Sequence, residues 1–295
     1  MTGDRRMHRV VKGFAFVESL RWHENALWFV DMHGGTIHCM AATLEAGGEQ
    51  SLTSLVGALD SPSGLVWSRE GEPVVVSMVN RKLVAIPTDG RPAVRADLSR
   101  HSCWPLNDAI AGLDGTVYVG TFGFDMFGGA AYAEGLLLAV DTNGVSRVAA
   151  DRMAFPNGMA IMPGSATLLV AESAAGQITA FTIAGDGKLH DRRIWAQLTA
   201  RCRPDGICLD EEGMVWAALP EQRACVRIEA GGRVVEQLDF GDRLPISCVL
   251  GGEDGRSLYV SSAATLRREL AVAQRDSRID RIAVSVPAPA TASES

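Results

Sequence analysis

The chain has 295 residues, a formal net charge of −7, 31 glycines and 6 cysteines. This length is ample for a large buried core. The negative charge argues against a general nucleic-acid-binding surface, because no basic stripe is available to neutralise phosphates.

The amino terminus does not resemble a targeting or membrane segment. Met1–His8 carries charges but leads into no apolar stretch, and no part of the sequence reaches the length of a membrane span. The cysteines show neither Cys-x-x-Cys pairs nor the density of a disulfide scaffold, so we expect no structural zinc site. We expect a cytoplasmic protein, monomeric or homodimeric, that contacts neither membrane nor nucleic acid.

One pattern recurs along the chain: a turn, an apolar strand, a glycine-containing turn and a second strand. We call the turn before each first strand the leading turn. Glu18 precedes the first copy, and the others begin with Ser61-Pro-Ser-Gly64, Pro105-Leu-Asn-Asp108, Phe155-Pro-Asn-Gly158, Pro204-Asp-Gly206 and Pro245-Ile-Ser247. Their spacing of roughly 40 to 50 residues is typical of propeller blades.

Six such units of about four strands would use nearly the whole chain. We therefore predict an all-β fold, a six-bladed β-propeller whose leading turns gather at one mouth of a central channel. Residues 14–283 form this single domain in our prediction. Residues 1–13 are a lead-in that closes the ring as an outer strand, and residues 284–295 have the composition of a disordered tail.

Four leading-turn residues offer oxygen ligands from separate blades. Glu18 and Asp205 are carboxylates, while Asn107 and Asn157 are amides. Pro204 fixes φ and Gly206 permits a positive φ, so we expect Asp205 at a sharp bend. Oxygen donors without thiolates or paired histidines are typical of a hard-cation site, which would place a divalent metal in the channel.

The segment from Phe122 to Tyr132 is a long aromatic and glycine-rich connection between two predicted strands. Long connections in compact domains are commonly binding loops. We expect Phe122, Phe124 and Tyr132 to line a substrate pocket; packing of these aromatics against the blade edges is the alternative. His33 and His38 lie on a Gly-rich turn. Lone histidines are more often structural groups than ligands, and a position of His33 at the channel mouth is the alternative. The absence of a Gly-x-Ser-x-Gly elbow argues against a serine hydrolase.

Taken in order, these motifs resemble the senescence-marker-protein (regucalcin) and gluconolactonase family over about residues 14 to 262. The resemblance implies one divalent cation bound by Glu18, Asn157 and Asp205, with Ca²⁺ as first choice and Mg²⁺, Mn²⁺ or Zn²⁺ as other candidates. It also implies that Asn107 binds substrate or a water of the metal, and that Asp205 doubles as general base. The implied activity is hydrolysis of a lactone or related cyclic ester.

One position departs from the sugar-lactonase members of that family. Those members carry an arginine two residues before the asparagine that corresponds to Asn107. This chain has Pro105 there, and the aromatic connection is unlike a polyol-binding surface. We therefore predict a small-molecule substrate less polar than a sugar lactone, with Arg203 or Arg201 as a substitute cation. Two alternatives stay open: a propeller that binds a metal or ligand without turnover, and a propeller enzyme of other chemistry, such as a strictosidine-synthase-like condensation or an isomerisation.

Overall fold

The computed structural model describes residues 6–41, 52–56, 59–87, 91–199 and 201–290. The first strands in chain order are β1 (His8–Phe14), β2 (Val17–His23), β3 (Ala26–Asp31), β4 (Thr36–Ala41), β5 (Leu52–Val56), β6 (Pro62–Trp67), β7 (Pro73–Ser77), β8 (Lys82–Ala85), β9 (Ala93–Asp97), β10 (Leu106–Ala111), β11 (Val117–Thr121) and β12 (Gly135–Val140). They continue with β13 (Ser146–Met153), β14 (Pro156–Met162), β15 (Thr167–Glu172), β16 (Gln177–Ile183), β17 (Leu189–Gln197), β18 (Ile207–Leu209), β19 (Val215–Leu219), β20 (Ala224–Ile228), β21 (Val234–Asp239), β22 (Leu244–Gly251), β23 (Ser257–Ala263) and β24 (Ser277–Ala283).

The strands form six four-stranded antiparallel sheets. Five are simple meanders of consecutive strands: β2 to β5, β6 to β9, β10 to β13, β14 to β17 and β18 to β21. The sixth has the order β1-β24-β23-β22, so the amino-terminal strand completes the carboxyl-terminal sheet, with Lys12 opposite Arg278. This arrangement confirms the predicted six-bladed β-propeller class.

Burial along the strands follows their place in each sheet. The second strands are buried over most of their length, β11 and β19 at every residue, as expected for apolar runs covered on both faces. The fourth strands are more exposed, and β17 exposes most of its residues. Each meander therefore runs from a buried second strand to a more exposed fourth strand.

The contacts of the chain divide it into two compact units of three sheets each, with boundaries between Ala58 and Leu59 and between Pro204 and Asp205. Within each unit the apolar cores lie between neighbouring sheets. Trp216 of β19 packs in one cluster with Val260 of β23, and Tyr118 of β11 packs in another with Phe181 of β16. The single domain over residues 14–283 stays a prediction.

Two short helices were not predicted. A 3-10 turn covers Pro220–Gln222, and an α-helix, α1, covers Arg268–Gln274 in the connection between β23 and β24. A helix of this length gives too few turns for an amphipathic period to be recognised in the sequence. Neither helix in the described part of the chain has the length and apolar character needed to span a membrane.

The predicted tail begins too early. Val284 is buried, and its amide donates to the carbonyl of Arg256 at 2.9 Å. The amides of Ala288 and Glu211 donate in the same region to Gly255 and Pro287, at 2.8 and 2.9 Å. Residues 284–288 are therefore held by backbone hydrogen bonds that their Pro- and Ala-rich composition does not reveal, while residues 291–295 lie outside the described part.

Candidate active site

The first strand of five sheets carries a shift in its pairing near the leading turn. The shifts lie between Glu18 and Arg21, Pro62 and Leu65, Leu106 and Ala109, Pro156 and Met159, and Pro245 and Ser247. An extra residue at such a bulge re-aims side chains away from the regular alternation of a strand. Glu18, Asn107 and Asn157 all stand at these bulges, so their side chains need not follow the strand period.

In one unit, Glu18 and Asp205 belong to chain segments on either side of β22. Two residues after Glu18, the amide of Leu20 donates to the hydroxyl of Ser247 at 3.1 Å. The residue after Asp205, Gly206, donates to the carbonyl of Ile246 at 2.9 Å. Both carboxylates are half-buried. The backbone segments that carry the two predicted acids therefore bond adjacent residues of β22.

The reason for glycine after Asp205 differs from the one we expected. Gly206 does not adopt a positive φ, unlike many glycines of the turns. A Cβ atom at this position would lie 2.6 Å from the Cα of Ser247. Close approach of two backbones, rather than a left-handed bend, therefore requires glycine here.

In the other unit, Asn107 is buried and its amide group is oriented by the neighbouring sheet. Its Nδ2 donates to the carbonyl of Pro156 at 3.0 Å, while its own backbone carbonyl accepts from the hydroxyl of Ser63 at 2.9 Å. This leaves Oδ1 as the atom of Asn107 that can meet a ligand. The adjacent Asp108 holds the turn, since its carboxylate accepts from the amide of Ala109 at 2.8 Å.

Asn157 is oriented in the same sense by a residue that the sequence did not single out. Its Nδ2 donates to the hydroxyl of Ser173 at 3.3 Å, and Ser173 in turn donates to the carbonyl of Pro204 at 2.7 Å. With nitrogen directed to the protein, the amide again leaves its Oδ1 for a ligand. Ser173 follows β15 in a turn between two strands, a position without any distinctive sequence signal.

Two buried carboxylates hold the chain segments that precede Glu18 and Asn157. Asp31 accepts from the amides of Ala15 and Phe16 at 3.0 and 2.8 Å, which holds the segment before Glu18. Glu172 accepts from the amide of Ala154 at 2.6 Å, before Asn157. Each is only 1% exposed. Asp31 accepts from backbone amides, and Glu172 also accepts from the side chains of Gln177 and Thr179. Both carboxylates are structural, because their lone pairs are already used.

The aromatic side chains of the connection between β11 and β12 cluster around Phe155. Phe122 and Phe124 lie 4.6 and 6.0 Å from Phe155, measured between ring centroids, and Tyr132 lies 5.5 Å from Phe124. Phe122 is buried, whereas Tyr132 is 50% exposed. Packing therefore accounts for Phe122, and the accessible part of the cluster consists of Phe124, Phe127 and Tyr132. Whether these rings line a substrate pocket stays a prediction.

Burial favours the neutral form of two histidines of the first sheet, His33 and His38. His38 is bonded by the hydroxyls of Thr36 and Ser54 at 2.7 and 3.0 Å, and burial lowers its pKa. His33 packs against Phe16 with ring centroids 5.1 Å apart, and burial together with the charge of Arg268 lowers its pKa to about 4. His38 is structural, as expected.

Arg201 and Arg203, the predicted substitute cations, are exposed. Both precede Asp205 in the loop after β17 and make interactions of their own. A role in binding substrate stays a prediction for Arg203.

The residue types predicted as ligands fit a divalent cation of the Ca²⁺ or Mg²⁺ type. Glu18, Asp205 and the two oriented amides supply oxygen atoms only. Within the described residues no cluster of three or more His, Cys, Asp or Glu side chains is arranged to hold a metal.

Comparison with known proteins supports the same family. The family model described as SMP-30/Gluconolactonase/LRE-like region matches residues 16–264. The pentonolactonase XacC of Haloferax volcanii is 26% identical over 82% of this chain and 79% of its own length. A luciferin-regenerating enzyme superposes with a TM-score of 0.80 at 17% identity, covering 96% of this chain and 97% of that one.

A third similar protein is a calcium-binding protein, regucalcin, from Agrobacterium tumefaciens strain C58. Its structure has a TM-score of 0.76 at 16% identity and covers 97% of this chain and 98% of that one. At such identities the solved structures establish the fold. Because the family model spans most of the sequence, the chain belongs to the SMP-30/gluconolactonase/LRE-like family.

Proposed function

We propose that this protein is a divalent-metal-dependent hydrolase of a lactone or related cyclic ester. The observation that carries the proposal is the orientation of the leading-turn side chains. Glu18 and Asp205 adjoin the same strand, β22, and both asparagine amides have their nitrogen bound to protein and Oδ1 left for a ligand. Two similar proteins are named as lactonases, which supports this class of reaction.

Glu18, Asn157 and Asp205 would hold the cation, with Ca²⁺ as first choice and Mg²⁺, Mn²⁺ or Zn²⁺ as the other candidates. When bound, such a cation polarises an ester carbonyl and stabilises the negative charge that develops on it. The calcium-binding protein among the similar structures supports a divalent ion in this fold.

Asp205 is the proposed general base. Its carboxylate accepts a proton from the water whose oxygen attacks the lactone carbonyl carbon. The ring C–O bond then breaks, the alkoxide leaving group takes this proton from Asp205, and the product is one hydroxy acid. Half-burial and the bonds of Gly206 to β22 hold this carboxylate in place. Asn107 would position the substrate through its Oδ1.

The proposed substrate is less polar than a sugar lactone. The accessible rings of Phe124 and Tyr132 favour an apolar substituent, and Pro105 has no group that binds a polyol. The polar Arg203 is the remaining candidate for an ionic contact. The small-molecule partner, like the monomeric or dimeric state, is part of the proposal.

The test compares Glu18→Gln and Asp205→Asn with an exposed acid of the same unit, Asp242→Asn. Hydrolysis of a panel of lactones is measured with each metal and with chelator. Loss of a general base should lower kcat by about 10²- to 10⁴-fold in Asp205→Asn. Metal should raise the Tm of the parent and of Asp242→Asn but not that of Glu18→Gln.

Parental rates in Asp205→Asn would refute the assigned base. A metal-dependent rise in Tm without turnover of any lactone would instead indicate the binding propeller. Activity on a non-ester substrate that survives chelation would indicate the third alternative, an enzyme of other chemistry in the same fold.

A further inference from the structure

One face of the sixth sheet is covered over only part of its length. The strand pairing places His8, Arg281 and Tyr259 opposite one another in a row across β1, β24 and β23, so their side chains share this face. Trp22 of β2 stacks on Tyr259, with ring centroids 5.5 Å apart and the planes inclined by 14°. The first sheet therefore covers the face at Tyr259.

Next to this row the face opens into a cavity of about 680 Å³. Ser257 and Ala283 are paired with each other and line it. Each stands two residues along its strand from Tyr259 or Arg281, so both belong to the same face as the row. Their small side chains leave free the space above the sheet.

The cavity lies at the end of the sixth sheet that is remote from its leading turn. β22 begins after that turn with Leu244, which pairs with Ala263, and it ends with Gly251, which pairs with Ser257. Because Ser257 lines the cavity, the cavity is at the opposite end of the strands from the leading turn. It is therefore separate from the candidate active site.

Positive side chains dominate the lining. The charged or titratable residues around the cavity are Arg6, His8, Glu253, Asp254, Arg256 and Arg281. Asp254 uses one carboxylate oxygen to accept from the backbone amide of Arg256 at 2.9 Å. Among the described residues, none of the three guanidinium groups forms an ion pair with a carboxylate. Arg281 interacts with the hydroxyl of Tyr259, which leaves most of its five donors free.

We propose that this cavity binds a phosphate monoester whose organic part carries hydroxyl groups. Three guanidinium groups supply forked donors for a doubly charged phosphate, more than a single carboxylate can use. The Ser257 hydroxyl adds a neutral donor, and positive groups gathered around a concave surface raise the local concentration of anions.

The remaining walls determine the organic part of the ligand. The volume is in the range of sites that bind small organic molecules, so the ligand is larger than a phosphate ion. The carboxylates of Glu253 and Asp254 can accept from hydroxyl groups. Among the described residues that line the cavity, none is Phe, Tyr or Trp, so no ring is available to stack on an aromatic group.

The experiment measures binding to the full chain by calorimetry at low salt, with myo-inositol 1-phosphate as the probe. Phenyl phosphate has a six-membered ring without hydroxyl groups, and myo-inositol has the hydroxyl groups without the phosphate. We expect the probe to bind about 10-fold more tightly than phenyl phosphate or inorganic phosphate, since hydrogen bonds to the hydroxyl groups are lost in both. Binding of myo-inositol should not be detected.

Two substitutions remove guanidinium groups from the cavity. Arg256→Gln and Arg281→Gln should each raise the Kd of the probe by about 10- to 100-fold, because each removes hydrogen bonds between charged groups. Arg256 is exposed, so its variant should keep the parental Tm and separate loss of binding from loss of the fold. The control is Arg9→Gln. Arg9 follows His8 in β1 and pairs with Asp280, so it lies on the other face of the sheet, and the Kd should stay within about twofold.

Glu253→Ala tests the contact with the hydroxyl groups. It should weaken binding of the probe relative to phenyl phosphate, because only the probe can donate to this carboxylate. An unchanged ratio of the two Kd values would overturn the assignment of a hydroxylated ligand.

Absence of binding by the parent, or equal Kd values for the parent, Arg9→Gln and Arg256→Gln, would overturn the site itself. Inorganic phosphate or phenyl phosphate bound as tightly as the probe would overturn the class of ligand. None of these measurements involves hydrolysis, so the outcome is independent of the proposed function.

Discussion

The side-chain amide of Asn107 donates a 3.0 Å hydrogen bond to the carbonyl of Pro156, the residue directly before Asn157. Two candidate site residues on adjacent sheets of one unit are thereby linked. Asn107 consequently has a structural task as well as its proposed contact with substrate.

Replacing Asn107 by Asp should therefore destabilise the fold, because a carboxylate oxygen cannot donate to Pro156 and would repel its carbonyl. The expected loss is about 1 to 3 kcal/mol in the free energy of unfolding, the cost of an unsatisfied buried group. Urea denaturation measures it, with Asn143→Asp in an exposed turn as control. A stability equal to that of the control would show that the hydrogen bond contributes nothing.

Gly206→Ala should be destabilising through contact rather than through φ. The new Cβ would lie 2.6 Å from the Cα of Ser247, and separating the two backbones should cost about 1 to 3 kcal/mol. The same change at Gly185, where nothing lies within 4 Å, should stay within about 0.5 kcal/mol. The midpoints of thermal unfolding compare the two variants. If Asp205 is the base, hydrolysis should also fall in Gly206→Ala, since the adjacent carboxylate shifts.

Substitutions in the aromatic cluster should distinguish a residue that packs the core from a residue that contacts the substrate. Phe122 is 2% exposed, and Phe122→Ala should cost about 3 to 5 kcal/mol in unfolding free energy. Tyr132 is 50% exposed, so Tyr132→Ala should cost less than about 1 kcal/mol and chiefly raise KM.

The measurement for Tyr132→Ala compares γ-butyrolactone with γ-nonalactone, which carries an apolar chain. A rise in KM restricted to γ-nonalactone agrees with a ring that contacts substrate. Equal changes for both lactones would remove Tyr132 from the proposed pocket. Val145→Ala, at another exposed apolar residue, serves as control.

Stability should fall as the pH is lowered from 7 to 5. Burial lowers the pKa of His23, His33 and His38 in the folded chain, that of His33 to about 4. The unfolded chain then binds more protons than the folded chain below its ordinary histidine pKa of about 6.5, so the free energy of unfolding rises with pH in this window. For His33 the contribution is complete above pH 6.5 and is lost progressively towards pH 4.

Urea titrations at several pH values measure this slope in the parent and in His33→Gln. The charged neighbours Asp31, Arg268 and Glu269 are retained in the variant, so the difference in slope belongs to the ring. A shallower decline in the variant is expected. An identical slope would show that His33 titrates alike in the folded and unfolded chain.

Much of the fold was predictable because its signal is local. A leading turn with Pro, a polar residue and Gly before an apolar run recurs at propeller spacing, and each copy did become the first strand of a sheet. The family followed from the ordered set of these motifs. Asn107 and Asn157 became candidates for the same reason, since the repeat aligns them with Asp205, and their roles stay predictions.

Other features could not be read from the sequence, because they depend on contacts between residues distant along the chain. The role of Ser173 comes from Asn157 and Pro204, neither of which is its neighbour in sequence. α1 is too short to show a period, and its place is set by Arg275 reaching Gly13.

The sequence by itself determined the class of fold, the family and the residue types at the leading turns, since turn chemistry and strand periodicity act within a few residues. Only the tertiary structure decided which atom of each amide is left for a ligand and why Gly206 must be glycine. Those properties arise from hydrogen bonds and close packing between separate sheets, whose geometry no local pattern encodes.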